Sequence, residues 1–248
     1  LYVVEDCAQA HGATDKGKRV GTLGDIAAFS TMSGKHHCTG AQGGVVYTTN
    51  ETLHWQARRF ADRGKPLHLE NANGNVVAGL NCNLNELSAA IGSAQLKKLP
   101  RIIARRREIG EAIKQGLAQS KAVRMGRQIP DTEPVYWFLR LKLDLDVISV
   151  NKDTFCDALA AEGIPVVHSY RHIHCEKEWF QNKVAFGRNG FPWHCSDYAG
   201  PRDPQYTIDN AIAVTDTHFN IHIHESFGSR EVADILAAIS KVEAAYLK

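Results

Sequence analysis

Short apolar runs that end in polar residues open the chain and predict a buried β-sheet. The stretch LYVVED, residues 1–6, is apolar and rich in β-forming residues, and it ends in two acids. GDIAAFST at 24–31 and GGVVYTT at 43–49 repeat this pattern, and glycine or polar residues bound each run. Runs of this kind are typical of strands that are covered on both faces. TLHWQARRFADRG at 52–64 then predicts a helix that stops at Gly64.

Helical spacing dominates the next segment. In NLNELSAAIGSAQLKKL, residues 83–99, Asn83 with Glu86 three positions later resembles a capping box. The apolar residues of this helix recur at helical intervals, at Leu84, Leu87, Ile91 and Ala94. A second helix is predicted from Arg101 to about Gln119, and its apolar face consists of Ile102, Ile109, Ile113 and Leu117.

A different pattern follows. FLRLKLDLD at 138–146 alternates apolar and charged residues, which indicates a sheet with one face in water. NKDTFCDALAAEGIPVVHSY at 151–170 predicts a helix, a stop at Gly163 and a strand. SREVADILAAISKVEAAYLK at 229–248 predicts a final amphipathic helix, with Ser229 as its N-cap.

These patterns predict two domains with a boundary near residues 120–132. Residues 1–122 form part of an α/β domain, a mostly parallel sheet flanked by helices. Residues 123–248 form a smaller α+β domain. The sequence opens at Leu1, inside a predicted strand, so we expect an N-terminal portion to precede it.

Composition narrows the class of protein. The chain has 248 residues, of which 44% are hydrophobic and 23% charged, and its net charge is +2. This balance excludes a disordered segment, and the evenly mixed signs give no basis for binding to nucleic acid or a membrane surface. No apolar run approaches the roughly 20 residues of a membrane helix. The six scattered cysteines indicate reduced thiols and a cytoplasmic protein.

Polar side chains with complementary chemistry follow two of the predicted strands. Asp6 ends the first strand and Gln9 follows it, whereas Ser30 ends the second strand and Lys35 follows that one. Ligands of open α/β sheets bind outside the carboxyl ends of the strands, so these four side chains converge if the strands are neighbours. The set suits pyridoxal phosphate (PLP), whose aldehyde reacts with a lysine and whose ring nitrogen needs a carboxylate to stay protonated.

Five motifs in one order resemble the DegT/StrS-type family of PLP-dependent sugar aminotransferases. They are VVEDCAQAHGA, GDIAAFS with a lysine five residues after the serine, GAQGG, GLNCNLNELSAAIGSAQLKKL and IPVVHSYRHIH. The resemblance covers nearly the whole chain but only about the C-terminal two thirds of a family member. It implies part of a fold-type I aminotransferase large domain, followed by a small C-terminal domain.

The resemblance also implies roles for individual residues. Lys35 is similar to the Schiff-base lysine and Asp6 to the partner of the pyridine nitrogen. Gln9 matches the residue beside the ring, and Ser30 matches a phosphate ligand. Asn81 is similar to an asparagine that reaches the cofactor of the other subunit, which implies a homodimer with shared active sites.

The implied reaction moves an amino group from glutamate or glutamine to a keto-sugar, nucleotide-linked in most of the family, or to a keto-cyclitol. Gln42 and Asn83 depart from the family's usual residues near the substrate, so the identity of the sugar stays open. His36, His168 and His172 are candidate substrate contacts by analogy. The histidines do not predict a metal site, because a His-x-His pair on a strand supplies at most two ligands on one face.

Two other interpretations stay open. One branch of the family has histidine in place of the lysine and catalyses dehydration, so the presence of Lys35 favours transamination. A non-catalytic or fragmentary family member could instead act through its dimer surface. Nitrogen from the donor in the product distinguishes transamination from dehydration.

Overall fold

A computed structural model of the chain describes residues 1–187 and 189–248. No helix in these two ranges is both long and apolar enough to cross a bilayer. Two short 3-10 helices, Leu117–Gln119 and His174–Glu176, accompany the regular elements. In chain order the strands and α-helices are β1 (Val4–Asp6), β2 (Thr14–Asp15), β3 (Lys18–Arg19), β4 (Ile26–Ser30), β5 (Gly44–Tyr47), α1 (Glu51–Ala61), α2 (Glu86–Leu96), α3 (Leu99–Gly116), β6 (Val123–Met125), β7 (Thr132–Glu133), β8 (Leu139–Leu143), α4 (Lys152–Ala161), β9 (Val166–Val167), α5 (Glu178–Gln181), α6 (Asp209–Thr217), β10 (His218–Ile221) and α7 (Ser229–Tyr246).

The described chain divides into two compact units, each made of three sequence segments. The first unit contains Leu1–Gly116, Arg127–Leu139 and Ile223–Asp234. The second contains Leu117–Gly126, Arg140–His222 and Ile235–Lys248. The assignment of residues 1–122 to a cofactor-binding domain and of 123–248 to a small domain stays a prediction.

A three-stranded sheet in the order β1-β4-β5 organises the first unit. β1 and β4 are parallel, with Val4 opposite Ile26 and Asp6 opposite Ala28. β4 and β5 are antiparallel, with Ser30 opposite Gly44. These three strands therefore form a mixed sheet, in which the pair that carries Asp6 and Ser30 is parallel.

The expectation that the first and third apolar runs form buried strands is wrong. Val4 of β1 is 68% exposed and Val46 of β5 is 58% exposed, because no described part of the chain covers these side chains. β4 and the turn after β1 do contribute to the core, where Ala27 is 1% exposed and Cys7 is 2% exposed.

A carboxylate fixes the connection between β1 and β4. Glu5 accepts hydrogen bonds from the backbone N–H groups of Gly21 (2.7 Å), Leu23 (2.7 Å) and Gly24 (2.6 Å). Burial raises the pKa of Glu5, but these three donors outweigh that effect and the pKa is lowered overall. The charged form of Glu5 therefore holds the turn that leads into β4.

α3 confirms the predicted helix and its apolar face, and α2 confirms the predicted helix before it. Ile102, Ile109 and Ile113 are buried along α3. Tyr136 packs on the same helix at Gly110, where a Cβ atom would lie 2.6 Å from the tyrosine ring.

In α2 the apolar side chains point outward, with Leu87 80% exposed, and the buried positions are Ser88 and Gly92. The N-cap predicted for this helix, Asn83, is wrong. Asn85, not Asn83, is the N-cap, and its side chain accepts from the N–H of Ser88.

The second unit has the larger apolar core. Its sheet has the order β6-β8-β10-β9. Side chains along β8 alternate between buried and half-buried, which confirms the predicted sheet with one wet face. α4 ends before Gly163, whose φ of +87° supplies the left-handed turn into β9. Phe155, Leu159, Phe219 and Ile221 fill the interior of this unit.

Candidate active site

The sheet brings Asp6 and Ser30, which end two predicted strands, to the same end of the sheet. Because β1 and β4 are parallel, Asp6 and Ser30 both lie at carboxyl ends. Asp6 is exposed, and its Oδ1 accepts from the N–H of Ala8 at 3.0 Å, which starts the turn toward Gln9. The half-buried Ser30 accepts through its Oγ from the N–H of Met32 at 3.3 Å.

Lys35 lies in a loop between β4 and β5 that hydrogen bonds hold closed at its base. Thr31 donates its N–H to the carbonyl of Gly43 at 2.9 Å, and Ser33 donates to Ala41 at 2.8 Å. The hydroxyls of Thr31 and Thr39 are buried and lie 2.9 Å apart. A Cβ at Gly43 would come within 2.6 Å of the Thr31 hydroxyl, so the glycine cluster here serves close packing.

The amine of Lys35 is half-buried and lies over an aromatic ring. Its Nζ is 4.0 Å from the centroid of the Trp137 ring. Trp137 donates its indole N–H to the carbonyl of Gly34 at 2.9 Å, next to Lys35 in the chain. Burial lowers the pKa of Lys35, and the nearby negative charge of Asp6 opposes this in part. The sequence-predicted acid and amine therefore interact electrostatically.

A cavity of about 340 Å³ adjoins this tryptophan. Its volume is at the lower end of the roughly 300–1,000 Å³ that is usual for small-molecule sites. Gln9 contributes an amide side chain to the cavity wall, and most of the other lining residues are apolar or aromatic. The lining residues are Gln9, Ala10, Ala13, Pro134, Val135, Tyr136, Trp137 and Phe138.

Three histidine rings pack behind Lys35. His11 is 4% exposed, and both its ring nitrogens are buried without a hydrogen-bond partner among the described residues. Its ring centroid lies 5.4 Å from that of Phe29, 6.2 Å from that of His36 and 6.1 Å from that of His37. His37 bonds through Nε2 to the carbonyl of Gly92 on α2 at 2.9 Å. This layer ties the lysine loop to α2.

Burial makes two of these rings weak bases. Burial, together with the positive charges of His36, His37 and Lys35, lowers the pKa of His11 to about 4. Burial likewise lowers the pKa of His36 to about 4, although the bond from its Nε2 to the carbonyl of Val135 opposes the change. At 3% exposure, His36 is placed as a packing residue, which does not favour its predicted contact with substrate.

The remaining predicted residues lie in other places. Asn81 is exposed and pairs with Asp62 at the end of α1, and its side-chain oxygen accepts from Asn83 at 3.0 Å. His168 and His172 belong to the second unit. His168 lies 3.4 Å from a carboxylate oxygen of Asp157, and His172 packs edge-on against Tyr170. Their predicted roles toward cofactor and substrate stay predictions. Gln42 is exposed beside the glycines of the lysine loop.

Trp137 and Arg106 are the residues that sequence reasoning missed. Arg106 is buried, pairs with Glu225 at 3.0 Å, and donates to the carbonyls of Tyr136 and Trp137, each at 3.2 Å. Trp137 is 103 residues from Gly34 in sequence, so no local spacing could connect it with the lysine loop. Within the described residues, no group of three or more His, Cys, Asp or Glu side chains could hold a metal ion.

Comparison with known proteins identifies a family whose sequence pattern this chain matches. Residues 1–240 match the DegT/DnrJ/EryC1/StrS aminotransferase family. The chain is 36% identical over 141 residues to a GDP-perosamine synthase of Escherichia coli O157:H7, which covers 57% of this chain and 37% of that protein. It is 30% identical over 187 residues to an L-glutamine:2-deoxy-scyllo-inosose aminotransferase of Streptoalloteichus tenebrarius, which covers 71% of this chain and 44% of that protein.

A solved structure extends the similarity to the fold. The X-ray structure of the aminotransferase from Psychrobacter cryohalolentis matches with a TM-score of 0.80 at 26% identity, over 99% of this chain and 62% of that one. This match confirms the predicted fold. The chain spans less than two thirds of the length of each of these three proteins.

Proposed function

Because the chain belongs to the DegT/DnrJ/EryC1/StrS aminotransferase family, we propose that it takes part in PLP-dependent transfer of an amino group to the ketone of a sugar. The proposed acceptor is a nucleotide-linked keto-sugar or a keto-cyclitol, and the proposed donor is glutamate or glutamine. The names of the two relatives support these choices, since one makes a GDP-linked amino sugar and the other aminates an inosose from L-glutamine.

The position of Lys35 is the observation that carries this proposal. Lys35 is half-buried, burial lowers its pKa, the charge of Asp6 acts on it, and its amine lies over Trp137, which lines the cavity. A lysine that binds an aldehyde must present an unprotonated amine, and partial burial raises that fraction at neutral pH. A lysine on an ordinary solvated surface would have neither the lowered pKa nor these neighbours.

The residues present fit PLP by their chemistry. Lys35 is the amine that would hold the cofactor covalently, Asp6 the carboxylate for its ring nitrogen, and Ser30 a hydroxyl donor for its phosphate. Gln9 lines the adjoining cavity and offers an amide to a ring substituent. When bound, PLP supplies an electron sink for the carbon that gains or loses the amine.

The chain's own residues would supply binding, orientation and proton movement. Nζ of Lys35 accepts a proton when neutral and returns it when charged, and the carboxylate of Asp6 stabilises the charged form. The closed base of the loop between Thr31 and Gly43 limits where Nζ can move. Orientation of this amine is therefore a property of the fold around it.

We also propose the assembly that the resemblance implies. Two copies form a dimer with shared sites, in which Asn81 reaches the partner's cofactor; its exposed side chain supports this role. His168 and His172 are proposed to contact the substrate. A cytoplasmic location completes the proposal.

Spectroscopy with added PLP tests the assignment of Lys35. The purified chain is incubated with PLP, its visible spectrum is recorded, and borohydride reduction followed by peptide mass mapping locates the attached group. We expect a visible band and an adduct on Lys35, both absent from Lys35→Ala and both retained in Lys18→Ala, a control at an exposed position of β3. An adduct on another lysine, or a folded chain that binds no PLP, contradicts the proposal.

Isotope labelling distinguishes amino transfer from dehydration. With glutamine or glutamate labelled at the α-amino nitrogen as donor, transamination places the heavy nitrogen in the sugar product. A product without donor nitrogen would instead support the dehydratase alternative.

A further inference from the structure

We propose that Trp137 is a positioning residue for Lys35: its indole N–H fixes the loop backbone at Gly34 while its ring face holds the lysine amine. The catalytic meaning of this role rests on the proposed function. The two contacts themselves are properties of this chain, and they can be measured without cofactor.

The first contact fixes the backbone of the loop. The indole N–H of Trp137 donates to the carbonyl of Gly34 at 2.9 Å. Gly34 has a φ of +87°, a left-handed conformation that directs the chain into Lys35. The base of the loop is closed by bonds between Thr31 and Gly43, whereas this bond is made close to the lysine itself. Trp137 therefore restrains the part of the loop that carries the amine.

The second contact restrains the side chain. The Nζ of Lys35 lies 4.0 Å from the ring centroid of Trp137, within the roughly 6 Å over which a cation is attracted to an aromatic face. The attraction acts on the ammonium form and tryptophan is the strongest partner for it. The titratable groups around this amine are Asp6 after β1, His11 in the next turn and His36 in the same loop.

The tryptophan is itself held in place. Arg106 on α3 donates to the carbonyls of Tyr136 and Trp137, each at 3.2 Å, and to that of Ile223 at 3.1 Å. Its charge is paired with Glu225 at 3.0 Å. The indole therefore belongs to a backbone segment that a buried arginine anchors, and this gives the moving amine a fixed support.

This arrangement gives the free lysine one preferred position. Whenever Nζ is protonated and not covalently bonded, the ring draws it back to the same place, within reach of the charge of Asp6. Burial favours the neutral amine, whereas the ring and Asp6 favour the charged one. Trp137 thus adjusts both the location and the proton affinity of the amine.

Competitive acetylation and limited trypsin digestion of the cofactor-free chain test the two contacts separately. The acetylation rate of Lys35 as a function of pH gives its pKa, and trypsin cleavage after Lys35 reports release of the loop. The variants are Trp137→Phe, which keeps an aromatic face but loses the indole N–H, and Trp137→Leu, which loses both. Trp55→Leu on α1 is the matched control.

In Trp137→Leu we expect the pKa of Lys35 to fall by about one unit, with a smaller fall in Trp137→Phe and none in the control. Cleavage after Lys35 should become about fivefold faster in both Trp137 variants, because both lose the hydrogen bond to Gly34. Circular dichroism and thermal unfolding establish that each variant is folded.

Each of the two measurements tests one of the two contacts of Trp137. An unchanged pKa in folded Trp137→Leu overturns the role of the ring face, and unchanged cleavage in Trp137→Phe overturns the role of the hydrogen bond. If Trp137→Leu does not fold, the test rests on Trp137→Phe. In that case a wild-type pKa of Lys35 together with a wild-type cleavage rate in Trp137→Phe overturns the proposal. Because no PLP is added, a chain that fails to bind PLP can still meet or fail this test, so the two failures stay distinguishable.

Discussion

Two buried imidazoles should make the first unit sensitive to mild acid. His11 and His36 are 4% and 3% exposed, and burial lowers the pKa of each to about 4 from an ordinary value of 6.5. In the folded chain both rings stay neutral where the unfolded chain would already bind protons. Their contribution to stability is therefore complete above pH 6.5 and is lost as the pH falls from 6.5 toward 4.

The size of the effect follows from these pKa values. The gap between 6.5 and about 4 corresponds to about 3 kcal/mol per ring once titration is complete. Between pH 7 and pH 5, linkage gives a loss of about 2 kcal/mol per ring, and about 4 kcal/mol for the pair. That is a large part of the 5–15 kcal/mol by which a typical domain is stable.

Hydrogen exchange of β4 amides in urea at pH 7, 6 and 5 measures this loss in the unit that contains both rings. The wild-type chain should lose about 4 kcal/mol over this range, and His11→Phe about half of that, because one of the two rings is gone. The control is His54→Phe, at an exposed position of α1, which should lose as much as wild type. A wild-type stability that stays constant from pH 7 to pH 5, or an unaltered slope in His11→Phe, would refute the reasoning.

Three further substitutions test the supports of the site by urea or thermal unfolding. Arg106→Met should cost about 1–3 kcal/mol, because buried backbone carbonyls lose their donor and the half-buried Glu225 loses its partner. Replacing both Arg106 and Glu225 by apolar residues should cost less. Glu5→Gln should cost about 1–3 kcal/mol at pH 7. Since the pKa of Glu5 is lowered, the difference from wild type should vanish as the pH falls below 4.5. Gly110→Ala should destabilise by about 1–3 kcal/mol despite the better helix propensity of alanine, because its Cβ would lie 2.6 Å from Tyr136; equal or higher stability would contradict that contact.

Most of the regular structure could be predicted from local patterns, and the errors about burial share one cause. The alternation in β8 and the apolar face of α3 were correct because both elements bury the side chains that their periodicity marks. In α2 the same periodicity marks Leu87, which is exposed, while Ser88 and Gly92 pack inward. Hydrophobic spacing shows which face is apolar, but it does not show whether anything covers that face.

The candidate site could be predicted in part. The order of Asp6, Ser30 and Lys35 along the chain, with the parallel pairing of two strands, is enough to bring their chemistry to one sheet edge. Trp137 could not be predicted, since its contact with Gly34 joins residues 103 positions apart and depends on where α3 and its buried arginine hold the backbone. Long-range contacts of single side chains leave no periodic signal in a sequence.

The exposed valines of the three-stranded sheet have a consequence for the behaviour of this chain in solution. Among the described residues, β1 and β5 are edge strands, and Val4, Val45 and Val46 are between 49% and 68% exposed. An edge with unpaired backbone groups and apolar side chains is a template for strand addition by another chain. We therefore expect self-association that grows with protein concentration and begins at the sheet. A lower protein concentration, or a charged residue introduced on β5, should keep the chain monodisperse.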